Sequence, residues 1–313
     1  MKRRGLIAGK VLALVAVAML ALVGSADAKK KKKHKVPPVV TATATATGTV
    51  GGQIFSATAT CPAGTKALGG GFSAPPLTPS SDDLAVAVAS HKVGANQWQA
   101  TAQFIGGPGP PVTLTTYAYC RKGAPVTTPV TVSTPIPDFV EGVSGATPAN
   151  ASCPAGTVQL SGGFAMDVVL GSSTSPIAIP LSSNRTDPLT WQATAIAGET
   201  GHTITSQADC AKNPKAKKGK KRKKKKKLRT PTEVTGDVTS PDFSESVSAT
   251  ALCPTKTFAV NGGFSHSGFS VSNPYFFLIT ESQAVGTTWR VTGFLIEGDN
   301  GQQQLRSYGY CSA

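Results

Sequence analysis

The sequence predicts an all-β protein of three tandem, small, antiparallel β-sandwich-like modules, each closed by one disulfide. Three observations predict it. A stretch opening on Cys-Pro and ending on Gly-Gly-Phe occurs at Cys61–Phe72, Cys153–Phe164 and Cys253–Phe264. Each copy is followed by a tryptophan (Trp98, Trp191, Trp289) and then by a second cysteine (Cys120, Cys210, Cys311). Between these marks run short segments of alternating pattern, broken by glycine and proline, and no helical periodicity is found beyond the first 28 residues.

The cysteines set the pairing. The six cysteines form no C-x-x-C pair, which argues against zinc or a thioredoxin-like redox site. Their separations within a unit are 59, 57 and 58 residues, so the simplest solution is the same bridge three times: Cys61–Cys120, Cys153–Cys210 and Cys253–Cys311. A unit of about 85 residues buries too little surface to be robust alone, and a covalent staple is the expected supplement.

Residues 1–28 read as a signal peptide. Lys2, Arg3 and Arg4 precede an apolar run from Val11 to Val23, and Ala26-Asp27-Ala28 fits a small-x-small cleavage site. That run is shorter than the ~20 residues a membrane-spanning helix needs, and no span is expected after cleavage. A basic tail follows (29–37), then module 1 (38–121), module 2 (126–211), a Lys-rich linker (212–230) and module 3 (231–313).

Within each module the segments read as strands in the same order. The first module opens on Val39–Val50, where threonine alternates with alanine, and continues with Ile54–Thr60 into Cys61. The proline after each first cysteine (Pro62, Pro154, Pro254) marks a strand end. The Gly-Gly-Phe step reads as a glycine bulge that turns the phenylalanine into the core; a phosphate-cradling loop would need a helix start after it, and none follows. Next come Leu84–Ser90, Pro176–Ser183 and Tyr275–Ser282, then the tryptophan strands, then strands that run into the closing cysteines. Period two puts each tryptophan on one face with small residues, as in Trp98, Ala100 and Ala102, which reads as core packing and not as a stacking platform for sugars.

Charge is segregated. The formal net charge is +15, yet the signal segment carries +3, the tail Lys29–Lys35 carries +6 and Lys212–Arg229 carries +13, which leaves −7 for the modules. The residues expected to hold polyanions are Lys217, Lys218, Lys220, Lys221, Arg222, Lys223, Lys224, Lys225, Lys226 and Lys227. Such a run attracts wall polymers, anionic headgroups or extracellular DNA by counterion release. It contains no aromatic residue, so nucleic-acid binding would be sequence-blind. The other reading is a solvated, self-repelling spacer whose 19 residues, Lys212 to Thr230, span ~60 Å when extended.

The units CPAGTKALGGGF and CPAGTVQLSGGF, followed by W-x-A-T-A and a closing cysteine, resemble repeats of exported proteins of high-GC Gram-positive bacteria. The resemblance covers the three modules and not the lysine tracts. It implies export and a β fold, and it implies no activity. The third unit departs from the pattern at Thr255, Lys256 and the WRVTG segment.

Catalytic and metal chemistry are not indicated. His34, His91, His202 and His266 fall at non-equivalent places in their units, and there is no G-x-S-x-G elbow. A single-copy triad of a serine with His202 and Asp209 is the one hydrolase reading. The repeated Pro137-Asp138-Phe139-Val140-Glu141 and Pro241-Asp242-Phe243-Ser244-Glu245 supply two carboxylates each, fewer oxygens than calcium takes, and read as turns. The expected function is therefore a secreted or envelope-associated, non-enzymatic repeat protein, without cofactor, that adheres to anionic polymers. A carbohydrate-binding array is the alternative.

Overall fold

The alternation of threonine with small apolar residues makes strands whose two faces meet different surroundings. A computed structural model describes residues 37–49, 51–75, 84–105, 110–136, 146–167, 178–197, 201–213, 228–239, 246–266, 276–296 and 303–312. Among them are eighteen strands and no helix. Module 1 holds β1 (Val40–Gly48), β2 (Ile54–Thr60), β3 (Thr65–Ser73), β4 (Leu84–Gly94), β5 (Gln97–Ile105) and β6 (Val112–Lys122). Module 2 holds β7 (Thr127–Pro135), β8 (Ala149–Ser152), β9 (Thr157–Asp167), β10 (Ile179–Asp187), β11 (Thr190–Ile196) and β12 (Thr203–Lys212). Module 3 holds β13 (Thr232–Thr239), β14 (Ser246–Leu252), β15 (Phe258–His266), β16 (Phe276–Val285), β17 (Thr288–Ile296) and β18 (Gln304–Ser312).

Each module is a two-layered unit of six antiparallel strands, and the same-module bridges hold: Cys61–Cys120, Cys153–Cys210 and Cys253–Cys311, with Cα atoms 5.6, 5.5 and 5.7 Å apart. The modules are not separate beads, however. Each three-stranded layer continues into a layer of the neighbouring module. The resulting sheets are β1-β6-β3-β16-β17-β14, β2-β5-β4-β9-β12-β7 and β13-β18-β15-β10-β11-β8. Contacts join Val36–Ala313 into one unit. The three modules thus close a ring about a pseudo-threefold axis, along which β3, β9 and β15 meet their neighbours β16, β4 and β10.

The Gly-Gly-Phe step explains the ring. A Cβ on the first glycine (Gly70, Gly162, Gly262) would fall on the tryptophan of its own module. A Cβ on the second (Gly71, Gly163, Gly263) would fall on the backbone carbonyl of Ser282, Ser90 or Ser183 in the next module. One glycine admits the ring and the other admits the neighbouring strand, and the phenylalanine that follows is buried at the axis, Phe164 edge-on to Phe264 at 5.6 Å. Packing there leaves a void of only ≈ 10 Å³. The expected bulge exists but is displaced. The glycines lie in regular ladder, and the residue skipped by the register is Leu68, Leu160 or Val260, just before them.

The tryptophans are 1% exposed, and each indole N–H donates to a serine of its own module at 3.0 Å: Trp98 to Ser90, Trp191 to Ser183, Trp289 to Ser282. They are core residues. On the solvent side, facing hydroxyls pair across strands, as in Ser56 with Thr101 and Ser133 with Thr205, at 2.8 and 2.7 Å. The turn after each first cysteine is also repeated, the threonine hydroxyl (Thr65, Thr157, Thr257) donating to the proline carbonyl at 2.6 Å. That turn needs a left-handed residue, supplied by Gly64 (φ 78°) and Gly156 (φ 82°) but by Lys256 (φ 69°) in the third copy.

Two substitutions test these readings. Gly163→Ala forces a methyl onto Ser90 O and is expected to cost about 3 kcal/mol, the upper range for overpacking, as a drop in denaturant midpoint. An unchanged midpoint would show that the strands do not approach as closely as described. Lys256→Gly relieves a left-handed side-chain residue and is expected to stabilise by about 0.5–1 kcal/mol in the same measurement.

Candidate anion-binding face at the disulfide end

Strand polarity sorts the connections between two ends of the ring. Registers such as Val40↔Cys120, Thr128↔Cys210 and Thr232↔Cys311 put the start and finish of every module at the end that carries the disulfides. The cations follow. Of the eight cationic residues belonging to modules, Lys66, Lys92, Arg121, Lys122, Arg185, Lys256 and Arg290 lie in this half. The exception, Arg306, is held by Asp237 through bonds of 2.6 and 3.1 Å. The connections that join strand ends at the opposite end contain, in sequence, nine of the sixteen acidic residues.

Both basic tracts join the chain at the cationic end. Val39, four residues after the N-terminal tract, packs on the buried cluster of Leu68, Ala124 and Val260. The second tract leaves at Asn213 and returns at Leu228, and the Leu228 N–H donates to Asn213 Oδ1 at 3.1 Å. Its flanks are pinned together and the modules on either side share a sheet. The reading of the tract as a spacer that holds modules apart is therefore corrected: two neighbours joined by β10 and β15 need no ~60 Å reach. Lys217, Lys218, Lys220, Lys221, Arg222 and Lys223 to Lys227 lie outside the described residues. So do the signal segment, the N-terminal tail and both Pro-Asp-Phe motifs.

A cavity of ≈ 500 Å³ opens at the same end. The bulge residues Leu68 and Val260, with their counterpart Leu160, line it, joined by Leu228, Arg121 and Arg229. Burial lowers the pKa of the Arg121 guanidinium. No acidic residue lines the cavity. Sequence reading missed it, because the three apolar bulge positions are distant in sequence and converge only through the ring.

The junctions between modules hold the buried polar groups. At the position before the closing cysteine, Tyr119 and Tyr310 each reach into the next module, accepting from the backbone N–H of Ala284 and of Arg185 at 2.7 Å. The Arg185 guanidinium lies over the Tyr310 ring at 4.6 Å and pairs with Glu233 at 3.3 Å. At the junction of modules 3 and 1, Glu281 accepts from Ser73 and Thr292 and pairs with Arg290 at 2.9 Å. Module 2 has Asp209 in the tyrosine's place. Ser161 Oγ donates to it at 2.6 Å and Gln207 Nε2 at 3.2 Å, while the same Gln207 amide donates to Lys92 O at 3.0 Å. Burial pushes the Asp209 carboxyl up, and the nearby Lys92 ammonium pulls it back. Burial pushes Lys92 down, with Asp209 opposing; its Nζ donates to Ala67 O at 2.7 Å and Thr127 Oγ1 at 2.9 Å.

The hydrolase reading loses its geometry. His202 contacts Asp167 O at 3.1 Å and sits seven positions from Asp209 along an extended strand, ~20 Å away. His91 is near Asp209, but that carboxyl is fully buried. His266 is buried and its pKa falls to about 4 for that reason. Among the described residues no group of three or more His, Cys, Asp or Glu could hold a metal ion. No family model matches this chain, and no curated protein is significantly similar to it.

Asp209 is expected to be structural. Asp209→Asn leaves the buried Lys92 without its counter-charge and should destabilise by about 3 kcal/mol in urea unfolding, as breaking one side of a buried pair does. A loss under about 0.5 kcal/mol would show that Lys92 is neutralised by other means.

Proposed function

We propose that the protein is an exported, non-enzymatic binding protein that adheres to anionic polymers of the cell envelope or matrix through its disulfide end. One observation carries the reading: the module cations gather at the end where both lysine tracts join an otherwise acidic body. A net +13 within Lys212–Arg229 is presented as a loop whose flanks are tied, rather than as a free tail. Polyanions gain by releasing condensed counterions to such a cluster, and the absence of aromatic residues makes the contact blind to base sequence. The three bridges accord with an oxidising compartment, as the leader-like N-terminus does. The carbohydrate-array reading depended on tryptophan platforms, and the rings are core residues with their N–H groups engaged.

The test compares the chain lacking its first 28 residues with a variant in which residues 215–227 become a Gly/Ser loop of equal length. On immobilised heparin the variant is expected to elute at much lower salt. Its slope of log K against log salt should be shallower by ~0.7–0.9 for each cation that had been in contact. Equal elution and equal slope would reject the reading.

A further inference from the structure

The cavity at the axis is not explained by polyanion adhesion. It is ≈ 500 Å³, within the ~300–1,000 Å³ range of small-molecule sites. Its construction is specific. Each module contributes one residue that the bulge removes from the ladder, Leu68, Leu160 and Val260, and bulges re-aim side chains in this way. Leu228 adds a further apolar wall. Two guanidiniums belong to the lining, Arg121 from the end of β6 and Arg229 from the return of the lysine tract, and no carboxylate balances them there.

We propose that this cavity binds a single-chain anionic amphiphile, with the alkyl chain against Leu68, Leu160 and Val260 and the acid group on Arg121 and Arg229. The apolar lining favours a chain over a free inorganic anion, because a bare anion there would lose hydration without matching contacts. The guanidiniums favour an acid over a neutral chain, since they match carboxylate and phosphate in a fork geometry. Burial at Arg121 adds to this, because an anion offsets the cost of a partly desolvated cation. The site is separate in residues from the polyanion-binding run, so the two activities can fail independently.

The experiment uses the full mature chain and dodecyl phosphate below its micelle concentration, followed by isothermal titration. Dodecanol-headed neutral glucoside and inorganic phosphate serve as controls. Saturable one-to-one binding of dodecyl phosphate is expected, with neither control competing at equal concentration. Arg229→Gln and Leu160→Gln are each expected to weaken it by about tenfold or more, the loss typical of one charge-assisted contact or one apolar wall. Both variants should keep the wild-type thermal midpoint and heparin elution, which separates this site from the tract. The Gly/Ser loop variant should still bind dodecyl phosphate. Absence of saturable binding in the wild type would overturn the proposal, as would variants that bind equally well. Binding that appears only in the Gly/Ser loop variant would also overturn it, by showing that the tract itself fills the cavity.

Discussion

The structure depends on how closely three strands can approach their neighbours at the axis. Backbone meets backbone there without intervening side chains, because Gly71, Gly163 and Gly263 have no Cβ to strike the next module's carbonyl. The ladders across the junctions are short, two residue pairs each. They are nonetheless decisive, since they convert the inner edges of six three-stranded layers into paired strands and leave no open edge at the centre. The outer edge strands are short or threonine-rich, and β7 carries Pro129 and Pro135, features that blunt edge-to-edge pairing.

The disulfides act on the same arrangement from outside. Each bridge runs from the end of a strand in one layer to the closing strand of the other layer of its module. Because every layer belongs to a sheet shared by two modules, the three bridges link the three sheets into a covalent ring. Each closes a loop of nearly equal length, for which the chain-entropy estimate is ~4 kcal/mol. A module that is marginal by size therefore receives two kinds of support. One is the bridge within it, and the other is the pair of half-sheets that neighbours complete.

Much of this was legible in the residues. Strand content, module count and bridge pairing follow from the repeat, and the inward tryptophans follow from their small neighbours at period two. Sheet sharing was not legible. A glycine that clears room for a neighbouring backbone looks the same in sequence as one that bends a strand, so the pair in Gly162-Gly163 was read as a bulge at that place. The bulge itself falls on Leu160, which carries no turn chemistry to announce it. The cavity was hidden for the same reason, since it exists only once Leu68, Leu160 and Val260 converge from three modules. One signal was present and unread. The second module has Gln207 and Asp209 where the others place Tyr117 and Tyr119 or Tyr308 and Tyr310, and a buried carboxylate beside a closing cysteine calls for a cation across a junction.

Those differences give the ring its order. The three junctions share one backbone geometry, so backbone alone would let a module dock on any copy of its counterpart, including one from another chain. Side chains at equivalent positions remove that freedom. Asp209 meets Lys92, Tyr310 meets Arg185, and Tyr119 meets the backbone of Ala284. Were module 1 to dock where module 2 belongs, Tyr119 would replace Asp209 and Lys92 would be buried without a carboxylate. Were module 2 to dock on β16, Asp209 would face Ala284 and lose its cation. Either error buries an unpaired charge, a penalty of several kcal/mol that a correctly ordered ring avoids. The polar groups at the junctions therefore need not stabilise the fold relative to an apolar core. Their effect is to make the other ring orders worse, which is what a chain of three similar modules requires if it is to close on itself and set both lysine tracts at one end.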